Sequence, residues 1–532
     1  MLHPVKHAGR GRPRRRSAWL LGIGCVLAVA NAHAQGRFAS PPEPKFSIKR
    51  FVVDGENPLS EGDTDAILAG FTGEQQGVAR LQQAARTLES ELKARGYGFY
   101  RVTLPPQDVV DTVTLKLIMF RVGKVEVQEQ QYYSDANIRA SFPSLREDES
   151  PNARNVARNL AMVNDHPGKQ ATVTLTESEM RDSVDVAIKV KDSDPLVLFS
   201  ALQNNGSDST GKWRLSVGMQ HSNLFDRDQQ LTLSYTTSPD EHHNDVRQYG
   251  GHWVIPFYDL AGTLSTYAVY SDVNSGRVAG FFDVAGRGTF AGARWTHRLL
   301  PEADVSQTLA LALDYKQYQN DVLFNGTNQG TDVSALPVTL AYAGDWRQGW
   351  GKLDWGLDYA FNTPSGKDSS SDNYEANRSG ASRQWDAWRA LANLNWQAEG
   401  GWGLQARWRG QYSGKPLIPG EQFGAGGAYT VRGYQEREIS GDSGYVANLE
   451  VWSKPYAEQV RFLAFLDTGQ IRINEATDGQ RDKHRISSVG VGGRWQPHKS
   501  VGVVLDVGHA LRDAVNTHAG DWFGHALLTV RF

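Results

Sequence analysis

From Leu196 to Phe532 the apolar residues recur with a period of two, and almost no helical periodicity interrupts them. Leu231, Leu233 and Tyr235 alternate with Thr232 and Ser234. Leu309, Leu311, Leu313 and Tyr315 alternate with Thr308, Ala310, Ala312 and Asp314. Trp402, Leu404, Ala406 and Trp408 alternate with Gly403, Gln405, Arg407 and Arg409. Successive side chains of a strand point to opposite faces, so each segment has one apolar face and one mixed face. Arg407, Arg409, Glu450 and Asp506 fall on mixed faces. Such charges are costly in the dry core of a β-sandwich, the competing architecture. They suit the hydrated lumen of a membrane barrel whose outer face meets lipid. About sixteen such segments lie between residues 196 and 532, an even number as expected for a bacterial barrel. One of them is read over 459–467. The polar stretches 319–332, 363–382 and 472–483 read as extracellular loops, and Asn223-Leu224-Phe225-Asp226 as a periplasmic turn. Leu528, Val530 and Phe532 end the chain in alternation, a terminal aromatic strand of the kind barrels present to their assembly machinery.

No run of eighteen apolar residues occurs, so no membrane helix is expected. The 54 glycines, 15 tryptophans and 19 tyrosines suit a barrel with aromatic girdles. Residues 1–34 read as an export signal. Lys6, Arg10, Arg12, Arg14, Arg15 and Arg16 precede an apolar run from Ala18 to Ala30, and Ala32-His33-Ala34 is a small-x-small cleavage site. Twin-arginine export at Arg14-Arg15 and lipid attachment at Cys25 fit the flanking residues poorly. Cys25 is the only cysteine, so the exported chain has no disulfide framework, thiolate nucleophile or cysteine metal site. Removing those six basic residues from 56 Lys+Arg leaves 50 against 59 Asp+Glu, or −9. That balance argues against a nucleic-acid partner.

The front of the chain differs from the rest. Two units, 46–121 and 122–193, each read as a β-α-α-β-β module. In the first, Phe46–Val53 is a strand and 77–95 a helix burying Val78, Leu81, Ala85, Leu88 and Leu92. Strands follow at 100–104 and 112–121. In the second, strands at 123–128, 170–177 and 183–190 accompany helices at 134–141 and 152–164. A single α+β domain of about 150 residues is the alternative. The expected fold is therefore mainly β: a sixteen-stranded transmembrane barrel preceded by two small α+β domains.

Between the barrel segments, 414–441 has its own character, with a Gly424-Ala425-Gly426-Gly427 cluster followed by Val431-Arg432-Gly433-Tyr434. Further on stands Phe465-Leu466-Asp467-Thr468-Gly469. By parity Arg461, Leu463, Phe465 and Asp467 share a face, opposite the apolar Val460, Phe462, Ala464 and Leu466. The apolar set belongs against lipid, which places Asp467 in the lumen. A lumen carboxylate takes a bidentate pair from a guanidinium, so a folded-in loop arginine is tethered there.

These features resemble a known superfamily of outer-membrane barrels that insert or secrete proteins. Within it, two POTRA-like units before a sixteen-stranded barrel resemble the two-partner secretion transporters, the haemolysin- and filamentous-haemagglutinin-secreting pores. The resemblance covers nearly all of the exported chain. It implies a loop motif at Val431, Arg432, Gly433 and Tyr434 and a wall motif at Phe465, Asp467 and Gly469. It implies a secreted, haemolysin- or haemagglutinin-like β-helical exoprotein as partner. It also implies outer-membrane lipid, periplasmic chaperones and the barrel assembly machinery as partners, with no nucleic acid, metal or cofactor and no enzymatic role. One departure stands out: only Gln35 to Lys45 separates the leader from the first strand, too short for the pore-plugging helix of several relatives, since a helix rises about 1.5 Å per residue. That makes the 414–441 loop the candidate occupant of the resting pore. An insertase of the same superfamily and a passive porin are the competing functions. Gly441-Asp442-Ser443-Gly444 looks like a protease nucleophile signature but lacks His and Asp partners, and reads as a turn entering a strand. His242-His243 lacks metal-site spacing and reads as solvated loop.

Overall fold

The computed structural model describes residues 45–532 apart from 208–209, 274–275, 279–281, 285–286, 303, 320–322, 325–326, 329, 458 and 478. The leader at 1–34, the short segment after it and part of the 319–332 loop lie outside the described residues.

The first unit holds β1 (Lys45–Ile48), β2 (Arg50–Asp54), α1 (Glu61–Leu68), β3 (Gly73–Gly77), α2 (Val78–Ala94), β4 (Tyr100–Thr103) and β5 (Thr112–Met119). The single strand expected at Phe46–Val53 divides at Lys49. Its halves join different sheets: β1 pairs with β3, while β2 runs parallel to β5, which also pairs with β4. Helix α1 is the first helix of the expected β-α-α-β-β order, which the sequence pattern did not place. It starts where the Ser60 hydroxyl accepts the Asp63 N–H, satisfying a donor the first turn leaves open. Helix α2 buries Leu81, Ala84, Ala85, Leu88 and Leu92 against Val113 and Leu115. The second unit holds β6 (Arg121–Gln128), α3 (Asp135–Ala140), α4 (Ala153–Asn164), β7 (Lys169–Glu177) and β8 (Ser183–Asp192). Its sheet order is β6-β8-β7.

Sixteen antiparallel strands then close into a barrel. We number them in chain order, from the first (Leu196–Gln203) to the sixteenth (Trp522–Arg531). The apolar parity faces outward: Leu309, Leu311 and Leu313 are 47–52% exposed, while Ala310 and Ala312 between them are buried. Among the described residues no helix is long and apolar enough to cross a membrane; the strands do so. The ring closes where Leu527–Arg531 pairs with Phe199–Gln203, reinforced by reciprocal backbone hydrogen bonds between Leu198 and Phe532.

The front domains join the start of the first strand, so that end is periplasmic and the loops after odd-numbered strands lie at the far end. The periplasmic turn after Leu224 grips the second front domain. Lys169 Nζ lies 2.6 Å from Asp228 Oδ2, both side chains excluded from solvent. The ammonium also donates to Asn137 Oδ1 (2.8 Å) and Ser141 Oγ (2.9 Å), using all three protons. Asp228 additionally accepts from Tyr258 OH (2.6 Å), Ser141 Oγ (2.9 Å) and Asn137 Nδ2 (3.0 Å). Burial alone raises the Asp228 carboxyl, but the neighbouring ammonium and these hydrogen bonds outweigh it and hold it below the usual carboxylate range. Two further contacts flank the pair: His166 Nε2 with Ser222 O (2.8 Å), and Asn159 Nδ2 with Tyr258 O (3.0 Å).

Candidate functional site

The loop between the eleventh strand (Gly403–Tyr412) and the twelfth (Ser443–Trp452) folds into the barrel. At its tip Arg432 is 2% exposed and Asp467, on the thirteenth strand (Val460–Arg472), is 0% exposed. That strand extends past the expected 459–467 segment and carries Thr468 and Gly469 within it. Arg432 Nε donates to Asp467 Oδ2 at 2.8 Å and Nη2 to Oδ1 at 2.9 Å, a two-pronged contact. The Arg432 backbone N–H adds a third bond to Oδ2 at 3.1 Å.

Each residue of the two motifs has a physical task. The Arg432 guanidinium stacks 3.6 Å above the Phe465 ring centroid, a cation–π contact in a water-poor site. Val431 is fully buried with Ala425, Ile439, Val446, Ile471 and Ile486. A Cβ on Gly469 would come within 3.1 Å of Val431 and Ala425, so the glycine leaves room for the loop to lie on the wall. Gly433 adopts φ +87° and sits against Gly508 of the fifteenth strand (Val501–Ala510). The Tyr434 hydroxyl lies 2.9 Å from Ser487 O and 2.8 Å from Arg512 O, and accepts the Arg512 N–H at 3.2 Å.

Sequence reasoning placed Glu450, Asp506 and Arg407 on the lumen wall but not in this cluster. Glu450 Oε1 lies 2.8 Å from Arg432 Nη2 and 2.7 Å from Arg407 Nη2. Asp506 lies 3.6 Å from Arg432 Nη1 and takes both Arg494 prongs at 2.8 and 2.9 Å. Asn448 Nδ2 donates to Asp467 Oδ1 at 2.7 Å. Three guanidiniums thus face three carboxylates. The signal for them was lumen parity on neighbouring strands; the ring's register was needed to make them adjacent. The root of the loop is held by Glu421, which accepts from Lys316 Nζ (2.8 Å), Tyr318 OH (2.9 Å) and Arg389 Nη2 (3.1 Å). His242 and His243 lie in a short exposed helical turn, and no metal-ligand cluster occurs among the described residues.

The tip's position depends on two backbones meeting. A Cβ on Gly508 would fall 2.6 Å from the Gly433 nitrogen and 2.8 Å from its Cα, atoms that cannot rotate away. Gly508→Ala is therefore expected to lift the tip off the fifteenth strand and weaken the Arg432–Asp467 contact while the barrel still closes. Heat-modifiable mobility should stay normal while proteolysis within 414–441 becomes faster.

The profile of the family "Haemolysin secretion/activation protein ShlB/FhaC/HecB" matches residues 182–495, and a POTRA domain profile of the ShlB type matches residues 46–119. The chain belongs to this family. It is an outer-membrane transporter of two-partner secretion, with its barrel in the membrane and POTRA domains in the periplasm. Among characterised proteins it is 23% identical over 476 residues to the outer membrane transporter CdiB of Dickeya dadantii, covering 85% of this chain and 81% of that one. It is 25% identical over 198 residues to the heme/hemopexin transporter protein HuxB of Haemophilus influenzae, covering 36% and 35%. Its fold matches CdiB from Escherichia coli with a TM-score of 0.71 at 18% identity, over 94% of this chain and 93% of that one. BamA from Haemophilus ducreyi lacking POTRA domains 1–3 matches at 0.51 and 13% identity, over 92% and 100%, a likeness of fold alone.

Proposed function

We propose that the transporter captures a haemolysin- or haemagglutinin-like β-helical exoprotein in the periplasm and passes it, unfolded, through the barrel, where the loop carrying Arg432 gates its path. The observation that carries this reading is the loop tip seated in the lumen on Asp467, downstream of two front units whose sheets end in edge strands. Strands β4 and β7 are edge strands, and β7 exposes most of its second half. An extended segment of the partner adds to such an edge through backbone hydrogen bonds, which tolerate varied side chains. The functional division is 46–121 and 122–193 for capture and 196–532 for passage. The motif residues Val431, Arg432, Gly433 and Tyr434, with Phe465, Asp467 and Gly469, seat the gate. The periplasm supplies no nucleotide, so refolding of the cargo outside the cell provides the drive. The transporter reaches its place with the help of periplasmic chaperones and the barrel assembly machinery, acts without chemistry of its own, and touches lipid with the outward parity of its strands. A passive porin leaves the front domains and the seated loop without a role.

Deleting residues 46–193 is expected to leave a barrel that inserts and shows heat-modifiable mobility but exports no partner. Continued export by the truncated protein would overturn the recruiting role.

A further inference from the structure

Asp442, set aside above as part of a protease-like tetrapeptide, is fully buried at the extracellular root of the loop. Its partner is Arg378, which follows the helix Ser371–Asn377 in the loop between the ninth strand (Gly351–Asn362) and the tenth (Asp386–Gln397). Arg378 Nη2 donates to Asp442 Oδ2 at 2.9 Å, and Nη1 donates to Oδ1. The carboxylate also accepts the backbone N–H of Leu417 (2.7 Å) and of Asn474 (2.6 Å). The guanidinium in turn donates to the carbonyls of the same two residues. One ion pair thus satisfies both backbone groups of Leu417, in the lumen loop, and of Asn474, in the loop after the thirteenth strand. Buried backbone groups need such partners, and here the pair supplies what a strand neighbour otherwise would.

The same three-loop assembly has an apolar side. Tyr374, Ala381 and Trp385 from the loop of Arg378 pack with Leu417 and Ile418 against Phe290 and Tyr318 of the wall. A stretch read as a polar extracellular loop therefore turns inward and builds a core. Two seals result, at different depths: the tip seal of Arg432 inside the barrel and this cap at its outer mouth. They share the 414–441 segment but none of their charged partners.

We propose that Arg378 and Asp442 form a second latch, holding loops 363–385 and 414–441 and the segment 473–477 as an outer gate that must open separately from the Arg432 cluster for cargo to leave. The pair acts as positioning residues, and the inference rests on the transport reading above. The described chain contains no cysteine. The full-length double variant Arg378→Cys/Asp442→Cys can therefore be bridged selectively with a short bis-methanethiosulfonate reagent and released with a reductant.

In planar bilayers, without cargo, the reduced double variant and Asp442→Asn are expected to spend more time open than wild type. The ratio of open to closed time should rise roughly tenfold or more, the scale of losing a two-pronged charge-assisted contact. Bridging should return the double variant to wild-type closure. In cells, bridging should stop partner export and reduction should restore it, a reversible change that a merely structural role does not give. Normal heat-modifiable mobility of each variant confirms that it folds. Equal conductance in the bridged and reduced states, or export indifferent to the bridge, would overturn the second latch. If wild type exports no partner, the transport reading falls, while the cargo-free conductance still decides the latch.

Discussion

Lys169→Met is expected to loosen the second POTRA domain from the barrel, because it leaves Asp228 charged, buried and without its cation. Removing one partner of a buried pair costs about 3–5 kcal/mol, mostly the penalty of the stranded charge. Asp228 keeps Tyr258, Ser141 and Asn137 as neutral donors, so the loss lies toward the lower end of that range. The rest of the junction, including Asn159 to Tyr258 and His166 to Ser222, still aligns the domain. The expected result is therefore a mobile domain rather than an unfolded one. Spin labels on β8 and on the turn after the fourth strand should report a narrow distance distribution in wild type and a broad one in Lys169→Met. The double variant Lys169→Met/Asp228→Leu removes the stranded charge and should recover much of the narrow distribution. If the double variant is as broad as the single one, the ion pair is not what fixes the junction. The sign with pH follows from the depressed Asp228 carboxyl: its stabilising share is present above the unfolded carboxylate value and is lost as pH falls through its lower folded value.

Arg432→Ala should have the larger effect on transport. Of the three carboxylates around the guanidinium, Glu450 keeps Arg407 and Asp506 keeps Arg494. Asp467 keeps only Asn448 and the backbone N–H of residue 432, so the cost concentrates there. Loss of the buried pair again sets a scale of about 3–5 kcal/mol, enough to unseat the tip in most molecules. Conductance should become noisier than wild type, and partner export should fall by at least about tenfold, since 1.4 kcal/mol already changes an equilibrium tenfold. Arg432→Lys should not rescue it, because a point charge neither forks onto Asp467 nor stacks as a plane on Phe465. Arg432→Ala/Asp467→Asn should regain thermal stability without regaining export, which separates the buried-charge cost from the tether. Conductance and export identical to wild type in Arg432→Ala would remove the case for the tether.

Much of this architecture was legible in the residues, for a physical reason. A period of two admits one assignment of faces per strand, and a lipid-facing set such as Phe462, Ala464 and Leu466 leaves little doubt about which face is wet. That parity alone placed Asp467 inside. The partners of Arg432 beyond Asp467 were not legible, because Glu450 and Asp506 lie on separate strands and meet only when the ring's register is known. The Arg378–Asp442 pair was hidden more deeply. Its members are 64 residues apart, Arg378 in a polar loop and Asp442 at a turn entering a strand, and a polar loop has the same composition whether it waves in water or folds into a mouth. Lys169 sits at a strand start, where a lysine usually signals solvent; only the packing of the turn at Asp228 buries it. Helix α1 belonged to the expected order but was not placed along the chain, for a local reason: its eight residues include few apolar positions to show a period.

The lumen loop carries Glu421 at its root and Arg432 at its tip, and each is neutralised by wall residues of opposite sign. On the proposed withdrawal of the loop, both charges would leave with it. Lys316 and Arg389 then form a cationic arc on the seventh (Val305–Gln319) and tenth strands, and Glu450, Asp467 and Asp506 a carboxylate-rich arc on the twelfth, thirteenth and fifteenth. The vacated passage is neither greasy nor charged with one sign. Charged arcs of this kind would hold water tightly and present polar surface to an unfolded polypeptide. On the proposed gating, the residues that seat the loop would thus become, on its departure, the lubricated lining of the conduit.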